Sequence, residues 1–147
     1  MRQLEIGGGS KPSPGDPHFD YKIVFDGGAI GNPGKGYGSY QISVGDAIVE
    51  HRREDYGGHI TNNQAEYMTL IRSLRWLAAR LGGDVANTSV EVWGDSQLVI
   101  NQLNGSWKVR NAALRPLVCE AQHELERFDR TRLTWHPRAF SVAHLGH

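Results

Sequence analysis

The feature that most constrains this 147-residue chain is a change of hydrophobic period at Asn62. Before it, apolar residues fall in short runs broken by glycine. After it, Met68, Ile71, Leu74, Leu77, Ala78 and Leu81 recur at helical spacing until Gly82-Gly83 ends the pattern. Strand-like runs followed by a long amphipathic helix predict a helix packed on a sheet. Residues 21–25 form a short apolar run ending in Asp26-Gly27-Gly28, the pattern of a central strand that stops at a turn. Residues 36–44 and 47–56, joined at Gly45-Asp46, read as two further strands of an antiparallel meander.

The second half alternates element types. Residues 89–93 read as a strand leading to Asp95, and residues 96–103 suit a short helix capped by Asp95 or Ser96. Leu114, Leu117, Val118, Ala121, Leu125 and Phe128 mark a third helix, and residues 132–136 a last strand. The order β-β-β-α-β-α-α-β predicts an α/β fold: a five-stranded mixed sheet flanked by helices. The long helix is the crossover that returns the fourth strand parallel to the first. Residues 1–19, with Gly7-Gly8-Gly9-Ser10 and prolines at 12, 14 and 17, lack periodicity and are expected to be a flexible tail before a domain spanning 20–147.

Sixteen basic and sixteen acidic side chains balance, so net charge neither demands nor excludes nucleic acid and the distribution decides. Between Ser96 and Cys119 there is no acidic residue, while Lys108, Arg110 and Arg115 lie close to Trp107. That segment is either a solvated basic face or a phosphate-binding one. No apolar run is long enough to span a membrane and no secretion signal opens the chain, which predicts a cytoplasmic protein, with a monomer as the default state. Cys119 is the single cysteine. It cannot close an internal disulfide, and its place on the third helix's apolar stripe predicts a small buried side chain rather than a nucleophile. Gly34-Lys35 invites comparison with a phosphate-binding loop, but Ala29 stands where the first glycine belongs and Gly36 where Ser or Thr belongs, so that motif is rejected.

Chemistry gathers on three carboxylates. If the first and fourth strands are parallel neighbours, Asp26 and Asp95 both sit at strand C-terminal ends, where open α/β sheets place their sites. Glu66, in the first turn of the long helix, reaches the same sheet edge. Taken singly, each has a simpler reading: turn former, first-turn acid, helix cap. Jointly, three adjacent carboxylates require a cation, and an all-oxygen set favours Mg²⁺ or Mn²⁺ over zinc. Two such ions roughly 4 Å apart suit phosphodiester cleavage.

The motifs carrying these residues resemble those of the ribonuclease HI family. They are Phe25-Asp26-Gly27-Gly28 with Asn32-Pro33-Gly34, then Thr61-Asn62-Asn63-Gln64-Ala65-Glu66, then Gly94-Asp95-Ser96-Gln97-Leu98, over about residues 20–138. The resemblance implies a ribonuclease H-like fold, an RNA/DNA hybrid as partner and substrate, cleavage of its RNA strand to leave a 5′-phosphate, and two divalent ions as cofactors. Asp26, Glu66 and Asp95 would be catalytic metal ligands. Gly28, Gly31 and Asn32, in a turn over residues 27–32, would approach the minor groove where 2′-hydroxyls mark RNA. Thr61, Asn62 and Asn63 would lie near the DNA strand. Trp107, read either as core or against the DNA backbone, would act with Lys108 and Arg110 on phosphates.

The resembled family carries a fourth carboxylate on a helix after the last strand. Here no acidic side chain follows Asp129. Alignment on Leu145-Gly146 puts Ala143 at that position, while counting from Pro137-Arg138 puts Leu145 there. The first alignment makes His144 or His147 a neighbour of the second metal or a proton shuttle, against a reading of both as surface residues of a frayed terminus. His136 is a further candidate proton shuttle or a strand-end polar residue. Three functions follow in order of preference: hybrid-cutting ribonuclease, hybrid-binding module with cleavage weakened or lost, and DNA-directed nuclease of the same fold.

Overall fold

A computed structural model gives the architecture of residues 3–5, whose backbone pairing it places, and of residues 18–146. The strands are β1 (Gln3–Glu5), β2 (Tyr21–Gly31), β3 (Gly34–Val44), β4 (Ala47–Ile60), β5 (Ser89–Gly94) and β6 (Arg130–Trp135). The helices are α1 (Asn62–Leu81), α2 (Gln97–Leu103), α3 (Arg115–Glu126) and α4 (Arg138–Leu145), with a 3₁₀ segment at Gly82–Asn87. Among the described residues the sheet order is β1-β6-β5-β2-β3-β4. The meander β2-β3-β4 is antiparallel, and β5 pairs parallel with both β2 and β6. These are the five expected strands of a mixed sheet, with β1 added at the edge.

Local chemistry explains the placement of α1. Thr61 is its N-cap: its hydroxyl accepts from Gln64 N at 3.1 Å, and the Gln64 side chain accepts from Thr61 N at 2.9 Å, closing a reciprocal capping box. The helix ends where Gly82 adopts φ 58° and its N–H bonds to Ala78 O. Tyr67, Leu70, Leu74 and Leu77 are completely buried on one face, against Ile23, Phe25, Tyr40 and Ile42 of the sheet. Each such side chain contributes about 1.5–3 kcal/mol of burial before ordering costs, so this layer dominates the core.

Side chains also fix strand register. Asp20 accepts from Ser89 N at 2.9 Å while Asp20 N donates to Ser89 Oγ at 2.9 Å, locking the start of β2 to β5 so that Tyr21 faces Val90. Across the next pair, Arg132 donates to Glu91 at 2.7 Å, and these two residues are register partners in β5 and β6.

Four expectations change. First, β2 does not stop at Phe25 but runs through Asp26-Gly27-Gly28 to Gly31, because β3 continues to pair with it as far as Gly31 opposite Gly34. Residues 27–31 are therefore strand and not turn, and the hairpin reverses at Asn32-Pro33, joined by a cis peptide bond. Second, residues 3–5 lie within the expected tail yet pair parallel with β6, while residues 6–17 lie outside the described residues. Third, a helix, α4, follows the last strand, with extended Pro137 at its N-cap position. Fourth, Cys119 is exposed, because α3 buries Val118, Ala121 and Leu125 and the next position around the helix turns away.

Gly27 is where strand and helix meet most closely. A Cβ there would stand 2.6 Å from Ala65 O and 2.8 Å from Glu66 N, both main-chain atoms. Gly27→Ala should therefore push the start of α1 off the sheet and cost about 1–3 kcal/mol of stability. Thermal unfolding measures this, and an unchanged midpoint would show that the contact is not tight.

Candidate active site

Alternation along β2 divides its side chains between two faces. Ile23 and Phe25 enter the core under α1, while Lys22 and Asp26 project to the face that α4 covers. The parallel pairing of β2 with β5 ends at Phe25 opposite Gly94, so the next residues, Asp26 and Asp95, emerge side by side. Gly94 lets the strands close there, since a Cβ would stand 2.6 Å from the Phe25 ring. Glu66 arrives from the first turn of α1, held beside β2 by the Gly27 contact. Ligand oxygens of Asp26, Glu66 and Asp95 lie within 4.8 Å of one another, the convergence expected from the motifs.

The cluster is withdrawn from water. Asp26 is 1% and Glu66 6% exposed, and the Asp95 side chain 5%. Glu66 Oε2 and Asp95 Oδ2 are buried without a hydrogen-bond partner, an arrangement that a bound cation would relieve. Burial first, and then the neighbouring Asp95 charge, push the Asp26 carboxyl up to about 6. Burial, followed by the charges of Asp26 and Asp95, holds Glu66 well above the usual carboxylate range. Ser96, rather than Asp95, caps α2, its hydroxyl accepting from Val99 N at 3.2 Å, which leaves the Asp95 carboxylate to the site.

Arg138 was legible in the sequence only as part of a Pro-Arg turn. The structure brings its Nη1 to 3.9 Å from Asp26 Oδ1 and 3.8 Å from Asp95 Oδ2. The available signal was a basic residue one step past the proline that follows the last strand. Ala143 and His144, by contrast, are exposed on α4, and the His144 ring stacks on Phe140 at 3.8 Å. The buried residues of α4 are Ser141 and Leu145, so the helix turns position 143 to solvent, and neither Ala143 nor His144 joins the carboxylates. His147 lies outside the described residues.

His136 is buried between Trp93 and Phe140, at ring distances of 6.1 and 4.5 Å, and its Nδ1 lies 2.9 Å from Pro137 O. Burial lowers its pKa. That environment suits a neutral packing residue rather than a solvent-facing proton shuttle.

The expected contact residues divide similarly. Asn62 Oδ1 accepts from Ala29 N at 2.8 Å and Asn32 Oδ1 from Asn62 N at 3.1 Å, tying the β2-β3 hairpin tip to the start of α1. Gly28 lies under the Tyr37 hydroxyl, 2.7 Å from where a Cβ would be, and Gly31 has φ 82°. Trp107 is 47% exposed, which removes its reading as a core residue, and Lys108 and Arg110 beside it are exposed. A concavity of about 410 Å³ over β3 and β4, whose lining includes Ile30, Tyr37, Ser39, Arg53 and Asp55, does not include the three carboxylates.

A sheet in which β5 lies between β2 and β6, with three acids at one edge, defines a ribonuclease H-like protein. Residues 42–144 match the family described as reverse transcriptase-like. The chain is 40% identical to a ribonuclease HI of Halobacterium salinarum over 115 residues, which are 78% of this chain and 55% of that protein. It thus spans about half the length of that relative. The crystal structure of RNase H1 from the same archaeon superposes with a TM-score of 0.74 at 38% identity, covering 85% of this chain and 92% of that one. LC11-RNase H1 in complex with an RNA/DNA hybrid superposes at 0.77 with 30% identity, covering 85% and 92%. The chain belongs to the ribonuclease HI family.

A carboxyl raised in the fold holds its proton more tightly than in the unfolded chain, so it subtracts stability as pH climbs from about 4 through about 6. Without divalent ions, Asp26→Asn should match the natural chain near pH 4 and exceed it by on the order of 3 kcal/mol near pH 7. Urea unfolding in EDTA measures the gap, and a gap constant with pH would mean that Asp26 titrates as an ordinary carboxyl.

Proposed function

We propose that this protein is an endonuclease that hydrolyses the RNA strand of RNA/DNA hybrids and leaves a 5′-phosphate. The observation that carries the reading is the convergence of Asp26, Glu66 and Asp95 within 4.8 Å in a buried setting. The crystallised RNA/DNA hybrid complex of LC11-RNase H1, a neighbour in fold and sequence, supports the choice of substrate.

The residues fit a pair of divalent cations. The donors are all carboxylate oxygens, no Cys or His joins them among the described residues, and two of the oxygens are buried without hydrogen bonds. Mg²⁺ or Mn²⁺ bound there would supply an activated water and charge stabilisation for the leaving oxygen. Asp26 and Asp95 hold their positions through strand register, and Glu66 through the cap of α1, so the donors are in place before substrate arrives. With no acid on α4, the three carboxylates would hold the ions together with waters, which Mg²⁺ commonly retains.

Substrate contacts follow the exposed features. The β2-β3 hairpin tip would lie along the hybrid's minor groove with main-chain atoms near 2′-hydroxyls, and Thr61, Asn62 and Asn63, tied to it through Asn32, would lie near the DNA strand. Exposed Trp107, Lys108 and Arg110 would lie along the DNA strand. We take the acting unit to be a monomer.

The first test is cleavage of a labelled hybrid with Mg²⁺, Mn²⁺ or EDTA, with RNA duplex and DNA duplex as controls. Metal-dependent cutting of the hybrid's RNA alone is the expected result, and equal cutting of the DNA duplex would refute hybrid specificity. Asp26→Asn should lower the rate by about two orders of magnitude or more while leaving the protein folded. Tight hybrid binding without cutting would favour a binding module instead, a reading supported by the lack of an acid on α4. Trp107→Ala should weaken hybrid binding several-fold, as loss of roughly 1 kcal/mol of contact implies, with little change in melting temperature. The opposite pattern would return Trp107 to a structural role.

A further inference from the structure

We infer that Arg138 is a built-in counter-cation of the carboxylate site, holding its charge in the metal-free protein and yielding when a divalent ion binds. The inference rests on the metal-centre reading above and adds a competitor that belongs to the chain itself.

Three observations support it. One guanidinium nitrogen, Nη1, faces Asp26 Oδ1 at 3.9 Å and Asp95 Oδ2 at 3.8 Å, bridging the two aspartates that converge with Glu66. These distances exceed hydrogen-bond length, so the contact is a Coulombic bridge and not a locked bidentate fork. The Arg138 side chain is also 61% exposed although both carboxylates are buried, so on leaving them it enters solvent and gives up no core packing, its hydrogen bond with the Tyr37 side chain being the further contact at stake. A third observation is positional: Arg138 opens α4, and no acidic residue follows Asp129 in the sequence. The last helix therefore presents a guanidinium to the site and no carboxylate. Lys22, a cation on the same face, lies 4.2 Å from the centre of the Trp93 ring instead.

The physical consequence is competition. Asp26 and Asp95 attract the guanidinium and a divalent ion through the same oxygens, and two cations cannot share them without repulsion. In the absence of metal, Arg138 offsets part of the charge that burial makes costly. When metal enters, that compensation becomes repulsion and Arg138 leaves the carboxylates. Free divalent affinity is thereby set lower than three buried carboxylates alone would give.

The test is calorimetric titration of the full chain with Mn²⁺, comparing the natural protein with R138Q, R138K and Asp26→Asn. R138Q should bind Mn²⁺ roughly tenfold more tightly, equivalent to about 1.4 kcal/mol, and should show the larger rise in melting temperature on adding the ion. R138K, which keeps a cation on a flexible stem, should stay within about twofold of the natural chain. Asp26→Asn should abolish binding in this range. Unchanged or weaker Mn²⁺ binding by R138Q would overturn the role, and weakening in both R138Q and R138K would make Arg138 a structural support. The ribonuclease reading fails separately: tighter Mn²⁺ binding by R138Q with no hybrid cleavage by the natural chain supports the counter-cation and removes the enzyme. Absence of Mn²⁺ binding by both the natural chain and R138Q would overturn the metal centre and this inference together.

Discussion

The site depends on one parallel strand pairing. Tyr21 to Phe25 run beside Val90 to Gly94, and because this ladder ends at Phe25 opposite Gly94, the two aspartates that follow stand at the same level, Asp26 still paired with β3 and Asp95 just past the end of β5. A slip of one residue would send Asp26 to the face where Phe25 now sits, since strand side chains alternate. The Asp20–Ser89 exchange at the start of the ladder and the Gly94–Phe25 fit at its end hold that register. Everything at the site follows from it: Glu66 has only to lean across from a helix whose start is pressed on Gly27.

Such an arrangement sets stability against function. Three carboxylates are buried where desolvation and mutual repulsion disfavour their charged forms, which is why Asp26 and Glu66 hold protons more tightly than usual. The surroundings tolerate this because the core beneath, from α1 to the inner face of β2 and β3, is apolar and complete. Strain of this kind, concentrated at one edge of an otherwise consistent structure, is expected where a ligand supplies the missing charge. Arg138 approaches from the opposite face and offsets part of that cost.

The motifs show how far residues alone could carry the reading. The capping box at Thr61 and Gln64 and the stripe of α1 were both visible, since they depend on neighbours within a few positions. The parallel order of β2 and β5 followed from the helix between them. Sequence misjudged the end of β2, because Asp26-Gly27-Gly28 looks like a turn and only pairing with β3 keeps it extended. It also misjudged Cys119 and left Trp107 open, because burial of a single side chain depends on what packs opposite. The α4 helix was too short to show a period of its own, and with it went the true surroundings of Ala143 and His144.

What the sequence by itself determined is a set of candidate acids and the elements that carry them: Asp26 beside Gly27, Asp95 between Gly94 and the cap Ser96, and Glu66 two residues after the capping-box Gln64, in an order that yields helix-on-sheet. Those features are local, written in period, capping and turn chemistry. The tertiary structure decided which charges meet. It closed the carboxylates within 4.8 Å, buried them, turned position 143 to solvent and laid Arg138 across Asp26 and Asp95. Arg138 is 112 positions from one partner and 43 from the other (138 − 26 and 138 − 95), a separation that no local pattern spans and only the packing of α4 on the sheet brings together.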